Sequence, residues 1–155
     1  MRLEPVTLRR VAAFATLPDE DCTALARCFG GRPYATGELV FREGDPAASM
    51  LFVAEGELTV SARVGSSTHQ LERVGPGQLL GEAALIERGT RLATARAERP
   101  SSVYEIDQDG LESLRRASPA AARALTGAAI GDLVRRLRQL EHRVEHEIER
   151  GGLTP

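Results

Sequence analysis

The spacing of apolar positions along the chain changes twice, which divides it into three regions. From about residue 5 to 29 the apolar residues recur near helical spacing. From about 30 to 108 they form short runs separated by glycines, and from about 109 to 150 helical spacing returns. This pattern predicts a single domain over residues 1–155, with a helical lead-in at 5–29, a β region at 30–108 and C-terminal helices at 109–150.

The middle region predicts a series of short antiparallel strands. Its glycines are separated by runs rich in aliphatic residues, and short strands between turn residues are typical of a β barrel or sandwich. Residues 65–68 read Gly-Ser-Ser-Thr and predict the tip of a hairpin. The predicted strands are residues 39–41, 49–53, 58–60, 70–74 and 103–106.

Both flanking regions carry helix signals. Pro18, followed by three acidic residues at 19–21, predicts a helix start, because acidic side chains suit the positive end of the helix dipole. In the C-terminal region, apolar residues spaced three and four apart suit either a helix pair between two copies or a helix covering the barrel. Gly151 and Gly152 predict the end of this helix. The apolar positions are Ile130, Leu133, Leu137, Leu140 and Val144.

Composition and charge exclude several classes of function. Twenty basic residues against 22 acidic ones give a net charge of −2, which disfavours nucleic-acid binding. No run reaches the roughly 18–20 apolar residues that span a bilayer, so we expect a cytoplasmic protein without a membrane segment. Two cysteines and three histidines argue against a zinc site or a disulfide scaffold, and His142 and His146 lack a third ligand. No nucleophile–base motif is present, so we expect no enzymatic activity.

The candidate chemistry lies in residues 75–94. Gly81 and Glu82 lead into a short apolar run at 83–86 that can form one helical turn, whose first N–H groups suit an anion. Arg91 follows a second glycine, Gly89, and its guanidinium suits a phosphate, while the Glu82 carboxylate can accept hydrogen bonds from sugar hydroxyls. Together these groups describe a sugar-phosphate receptor. On these residues alone, a surface turn with a solvated arginine remains the alternative.

This segment resembles the phosphate-binding cassette of the cyclic-nucleotide-binding domain family, which includes catabolite-activator-type regulators, protein kinase A regulatory subunits and cyclic-nucleotide-gated channels. The family pattern, approximately Phe-Gly-Glu-Leu-Ala-Leu and then Arg-(Ala/Ser/Thr)-Ala, is matched here by LGEAAL at 80–85 and RLA at 91–93. Residues 37–58 resemble the early strands of the family, and residues 8–20 its helical lead-in. The resemblance covers about residues 7–140.

The resemblance implies a mostly β fold, an eight-stranded antiparallel β jelly roll with N-terminal helices and a long C-terminal helix. By resemblance, Glu82 would accept the ribose 2′-hydroxyl, and Arg91 with the amides of Ala84 and Leu92 would hold the cyclic phosphate. Leu85 would be the apolar hinge that contacts the C-terminal helices. The implied ligand-binding residues are Gly81, Glu82, Ala83, Ala84, Leu85, Arg91, Leu92 and Ala93.

The resulting expectation is a regulatory sensor that binds cyclic AMP or cyclic GMP, uses no cofactor and signals by repacking its C-terminal helix. A homodimer through that helix is expected, as is no nucleic-acid binding by this chain alone. Leu92 stands where the family usually has a small or hydroxylated residue. Two alternatives therefore remain: a degenerate module used for dimerisation or protein interaction, and a transcription regulator lacking its DNA-binding domain.

Overall fold

The computed structural model describes residues 1–151, which form two β-sheets flanked by helices. The helices are α1 Pro5–Leu8, a 3₁₀ turn Ala12–Phe14, α2 Asp19–Arg27, α3 Ala83–Ile86, α4 Gln108–Ala117 and α5 Pro119–Glu149. The strands are β1 Gly30–Tyr34, β2 Leu39–Phe41, β3 Pro46–Ala47, β4 Ser49–Val64, β5 Ser67–Val74, β6 Leu79–Leu80, β7 Gly89–Thr90 and β8 Thr94–Asp107.

The larger sheet is built around two long strands, β4 and β8, which pair antiparallel. Its order is β1-β8-β4-β5, with β2 pairing β8 and β6 pairing β4, while β3 and β7 form a second sheet. The β4–β5 hairpin turns at Gly65 and residue 66, so the predicted tip is confirmed there, whereas residues 67 and 68 already belong to β5. The mostly β jelly-roll class with flanking helices and a long C-terminal helix is also confirmed.

The prediction of separate strands at 49–53 and 58–60 is wrong, because both segments belong to β4. Between them, the register with β8 shifts around Gly56, whose φ is +89°. A Cβ on Gly56 would collide with Ser101 and the Pro100 carbonyl. Glycine thus lets the strand continue through a bulge rather than end at a turn.

Alternate residues of β4 serve two separate hydrophobic cores. Met50 and Phe52 pack with the helices, whereas Leu51 and Val53 pack inside the jelly roll. Successive strand side chains point to opposite faces, so a strand covered on both sides reads as an unbroken apolar run. The helical core and the jelly-roll core therefore lie on opposite faces of the same strand.

Capping groups fix the start of α5 and attach it to the N-terminal helices. The Ser118 hydroxyl accepts a hydrogen bond from the Ala121 amide at 3.0 Å and donates to the Asp21 carboxylate at 2.6 Å. Asp21 lies in the acidic first turn of α2, which begins at Asp19 beside Pro18 as predicted. The N-cap thus places the first turns of α5 against α2.

The two halves of α5 differ in exposure. Ala121, Ala122, Leu125 and Ala129 are buried in the helical core. Beyond them the helix carries an exposed apolar stripe, whose members are 43–57% exposed. No helix within residues 1–151 is long and apolar enough to cross a membrane. The stripe comprises Ile130, Val134, Leu137, Leu140, Val144 and Ile148.

The predicted apolar seam of α5 is therefore only partly right. Leu133 is half-buried and lines a cavity against the jelly roll, so it does not belong to the exposed stripe. Val134 and Ile148 lie on the stripe instead. The other four predicted positions are exposed, Gly151 follows the helix with a φ of +73°, and Gly152 lies outside the described residues.

Candidate ligand-binding site

Gly81 and the single turn of α3 bring the two predicted polar residues together. Gly81 has a φ of +73°, and a Cβ on it would collide with the Arg91 guanidinium. Only glycine combines this backbone conformation with so close an approach of the arginine. α3 forms at residues 83–86, where the sequence predicted one helical turn, and its Leu85 side chain is buried among the helices.

The amide of Ala84 is already occupied. It donates to the Gly81 carbonyl at 3.2 Å, as the Leu85 amide does to the Glu82 carbonyl at 3.1 Å. The role of the Ala84 amide at a phosphate stays a prediction. An anion would have to compete for that N–H with the backbone of the same turn.

Arg91 is buried and held in one orientation by neighbouring strands. Its Nη2 donates to the Ser49 carbonyl at 2.9 Å and to the Ser49 hydroxyl at 3.2 Å. Its guanidinium lies 4.4 Å from the centre of the Phe41 ring. Burial lowers the pKa of Arg91, opposed by the charges of Glu105 and Asp45. An arginine placed in this way is a preorganised receptor for an anionic group.

Glu82 is only 1% exposed, and one of its oxygens lacks a hydrogen-bond partner. Its Oε1 lies 3.4 Å from Nη2 of Arg136 on α5, an ion-pair contact without hydrogen-bond geometry. The pKa of Glu82 is raised to about 8, chiefly by burial and also by a hydrogen bond with Asp132, while the charge of Arg136 opposes both. Burying a carboxyl oxygen without a hydrogen-bond donor costs free energy. Oε1 of Glu82 can therefore accept a hydrogen bond from a ligand.

These residues line a cavity of about 260 Å³ between the jelly roll and α5. Glu72, Glu82, Arg91 and Arg136 supply its buried or half-buried charges, and most other lining groups are apolar, the usual make-up of a small-molecule pocket. Of the predicted set, the structure brings together Gly81, Glu82, Ala83, Ala84, Arg91, Leu92 and Ala93. Leu85 instead points into the helical core.

Sequence reasoning missed several residues of this cavity. Phe41 comes from β2, and Leu133 and Arg136 come from α5. No local motif identifies them, because each reaches the cassette from a distant part of the chain. Helical spacing gives a partial signal for one of them. It places Leu133 in the predicted apolar seam of α5, but it does not show that Leu133 faces the cavity.

The family model described as the cyclic nucleotide-binding domain matches residues 31–118. The chain belongs to this family. Among solved structures, the N-terminal domain of a transcriptional regulator from Streptomyces coelicolor superimposes with a TM-score of 0.73 at 30% identity, covering 89% of this chain and 94% of that one.

Among curated proteins, the chain is 30% identical to the cyclic AMP receptor protein of Thermus thermophilus over 83% of its length. It is 33% identical to glutaminase 2 of Bradyrhizobium diazoefficiens over 86% of its length. The chain spans 58% of the first of these proteins and 21% of the second. Its similarity to each is thus confined to part of a longer protein.

Proposed function

We propose that residues 1–155 form one cytoplasmic regulatory module that binds a cyclic purine nucleotide, cyclic AMP or cyclic GMP, without a cofactor and without catalysis. The observation that carries the proposal is the pairing, in one cavity, of a buried carboxyl with a vacant acceptor position and a buried arginine. Glu82 would accept a ribose hydroxyl, and Arg91 would pair the cyclic phosphate.

The residues around this pair suit the rest of a nucleotide. Leu71, Leu92 and Leu133 offer apolar surface at the cavity, against which a purine can pack. Gly81 lets the backbone approach the Arg91 guanidinium more closely than any residue with a Cβ could. The family membership and the similarity to a cyclic AMP receptor protein support the same ligand class.

The route from ligand to output would run through α5. Two α5 side chains, Leu133 and Arg136, line the cavity, while Leu85 of α3 packs in the helical core with Leu125 and Ala129. A ligand in the cavity would therefore contact side chains that hold α5 in place. Its binding would shift α5 from one packing arrangement to another. This is the basis for a sensor rather than a passive binding domain.

We further propose a homodimer through the exposed stripe of α5. The positions 130, 134, 137, 140, 144 and 148 follow the three- and four-residue spacing of a helix-pair seam, and all are apolar. The same stripe supports the alternative of a degenerate module used for dimerisation. Leu92 favours that alternative too, since its side chain, 85% exposed, offers a ligand no hydrogen-bonding group.

Calorimetric titration of the Arg91→Glu variant tests the ligand proposal. Replacing a buried cation with an anion should weaken cyclic-nucleotide binding by about 2–5 kcal/mol, since the phosphate loses its partner and gains a like charge. Arg88→Glu is the matched control, because Arg88 is exposed in the same segment and donates to Gln108. Equal affinities of the two variants would refute the site.

A further inference from the structure

Arg136 connects the cassette to α5 through several acceptors at once. Its Nη2 donates to the Leu79 carbonyl of β6 at 3.0 Å and lies 3.4 Å from Glu82 Oε1. Its Nη1 lies 3.1 Å from Glu72 Oε1 of β5. The side chain is 31% exposed, so it is held between the helix and the jelly-roll wall rather than extended into solvent.

The charges around Glu82 leave Arg136 as its closest cation. α5 also supplies Asp132, 3.5 Å from Arg136 Nη2, and β5 supplies Glu72, so three carboxyl groups meet one guanidinium here. Arg91 lines the same cavity, but its Nη2 is committed to Ser49. A buried carboxyl among other carboxyl groups depends on such a cation for its ionised form to be reached without a still higher pH.

We propose that Arg136 is a further residue of the ligand site, a positioning residue supplied by α5 that holds the Glu82 carboxylate as the acceptor of the ribose 2′-hydroxyl. The proposal rests on cyclic-nucleotide binding by this cavity. A carboxylate accepts a hydroxyl hydrogen bond more strongly than a protonated acid does, and burial alone favours the acid. Arg136 thereby makes the ribose contact depend on the position of α5.

Titrations with cyclic AMP and with its 2′-deoxy analogue separate this role from a merely structural one. Arg136→Gln should weaken cyclic AMP binding roughly ten- to a hundredfold, the range for a hydrogen bond to a charged group, and should leave the 2′-deoxy analogue nearly unaffected. Arg136→Lys, which keeps the charge, should recover part of the loss. Arg138→Gln, exposed on the same helix and outside the cavity, is the control and should bind like the wild type.

The pH dependence of binding supplies a second readout. Because the ribose contact needs ionised Glu82, wild-type affinity for cyclic AMP should rise from about pH 6.5 to 8.5. In Arg136→Gln the rise should shift to higher pH, since the carboxylate has lost its cation. The 2′-deoxy analogue should show a smaller rise in both proteins.

The outcomes distinguish this inference from the proposed function. Equal weakening of both nucleotides by Arg136→Gln, or no weakening of either, would overturn the role of Arg136 while leaving the ligand site in place. A wild type that binds neither nucleotide would overturn both. Selective loss of the ribose contact together with the shifted pH profile would support both.

Discussion

At the residue scale, burial of the Glu82 carboxyl makes the stability of the fold depend on pH. Its pKa is about 8 in the folded chain against an ordinary 4.5, so between these values the folded state holds a proton that the unfolded state has released. The free energy of unfolding should therefore fall as pH rises from about 4.5 through 8.

Glu82→Gln should remove this contribution, because glutamine keeps the shape of the protonated acid and does not titrate. Urea unfolding at a series of pH values from 5 to 8.5 measures the effect, with Glu87→Gln as the exposed control from the same segment. A wild type whose stability increases across this window, or a Glu82→Gln variant with the same slope, would contradict it.

Leu92 should favour cyclic AMP over cyclic GMP. The side chain lines the cavity mouth and is 85% exposed, so a purine can pack on it, but it offers no hydrogen bond to the exocyclic amine of guanine. The hydroxyl oxygen of Thr94 is engaged by the Glu43 amide at 3.0 Å. Leaving the guanine amine without a partner costs about 1–3 kcal/mol.

Parallel titrations with both nucleotides measure this preference. Leu92→Thr should gain affinity for cyclic GMP relative to cyclic AMP, whereas Ile86→Thr, an exposed site on α3, should not. A wild type that prefers cyclic GMP by tenfold or more would contradict this role of Leu92.

Glu82 and Arg91 could be predicted from the sequence, but the residues that contact and orient their side chains could not. Both lie in one short motif with a recognisable glycine and spacing, so their chemistry can be inferred locally. Ser49, which orients Arg91, and Arg136, which contacts Glu82, are 42 and 54 positions away from their partners. Only the folded pairing of β4 and the course of α5 bring them to the site.

At the element scale, α5 should mediate self-association. Introducing buried like charges into an apolar seam is strongly unfavourable, so Leu137→Glu/Leu140→Glu should convert a dimer to a monomer in sedimentation experiments. Gln139→Glu/His146→Glu, with two glutamates at exposed positions outside the apolar stripe, should remain dimeric. A wild type that is monomeric at high micromolar concentration would refute the seam.

The elements show where sequence patterns succeed and where they fail. Apolar spacing and turn residues predict β2, the β4–β5 turn and the start of α2, because each depends on local chemistry. They divide β4 wrongly, since Gly56 reads as a turn and only its close contact with Ser101 shows that it is a bulge. They also leave open which face of α5 meets the jelly roll, a choice made by tertiary packing of Leu133 and Arg136.

At the scale of the whole molecule, the arrangement suits a monoanionic ligand. A cyclic phosphate diester carries one negative charge, which the buried Arg91 can match, whereas an open 5′-monophosphate carries about −1.5 to −2 at neutral pH. The second charge would have to be desolvated without a comparable partner, near the Glu82 carboxyl. The cavity should therefore discriminate between nucleotides that differ only in ring closure of the phosphate.

Isothermal titration of the unmodified chain with cyclic AMP and with 5′-AMP tests the account most directly. We expect one cyclic AMP site per chain, and at least roughly tenfold weaker binding of 5′-AMP, the equivalent of about 1.4 kcal/mol. Absence of cyclic AMP binding, or equal affinity for the open and cyclic nucleotides, would contradict the assignment of this cavity as a cyclic-nucleotide site.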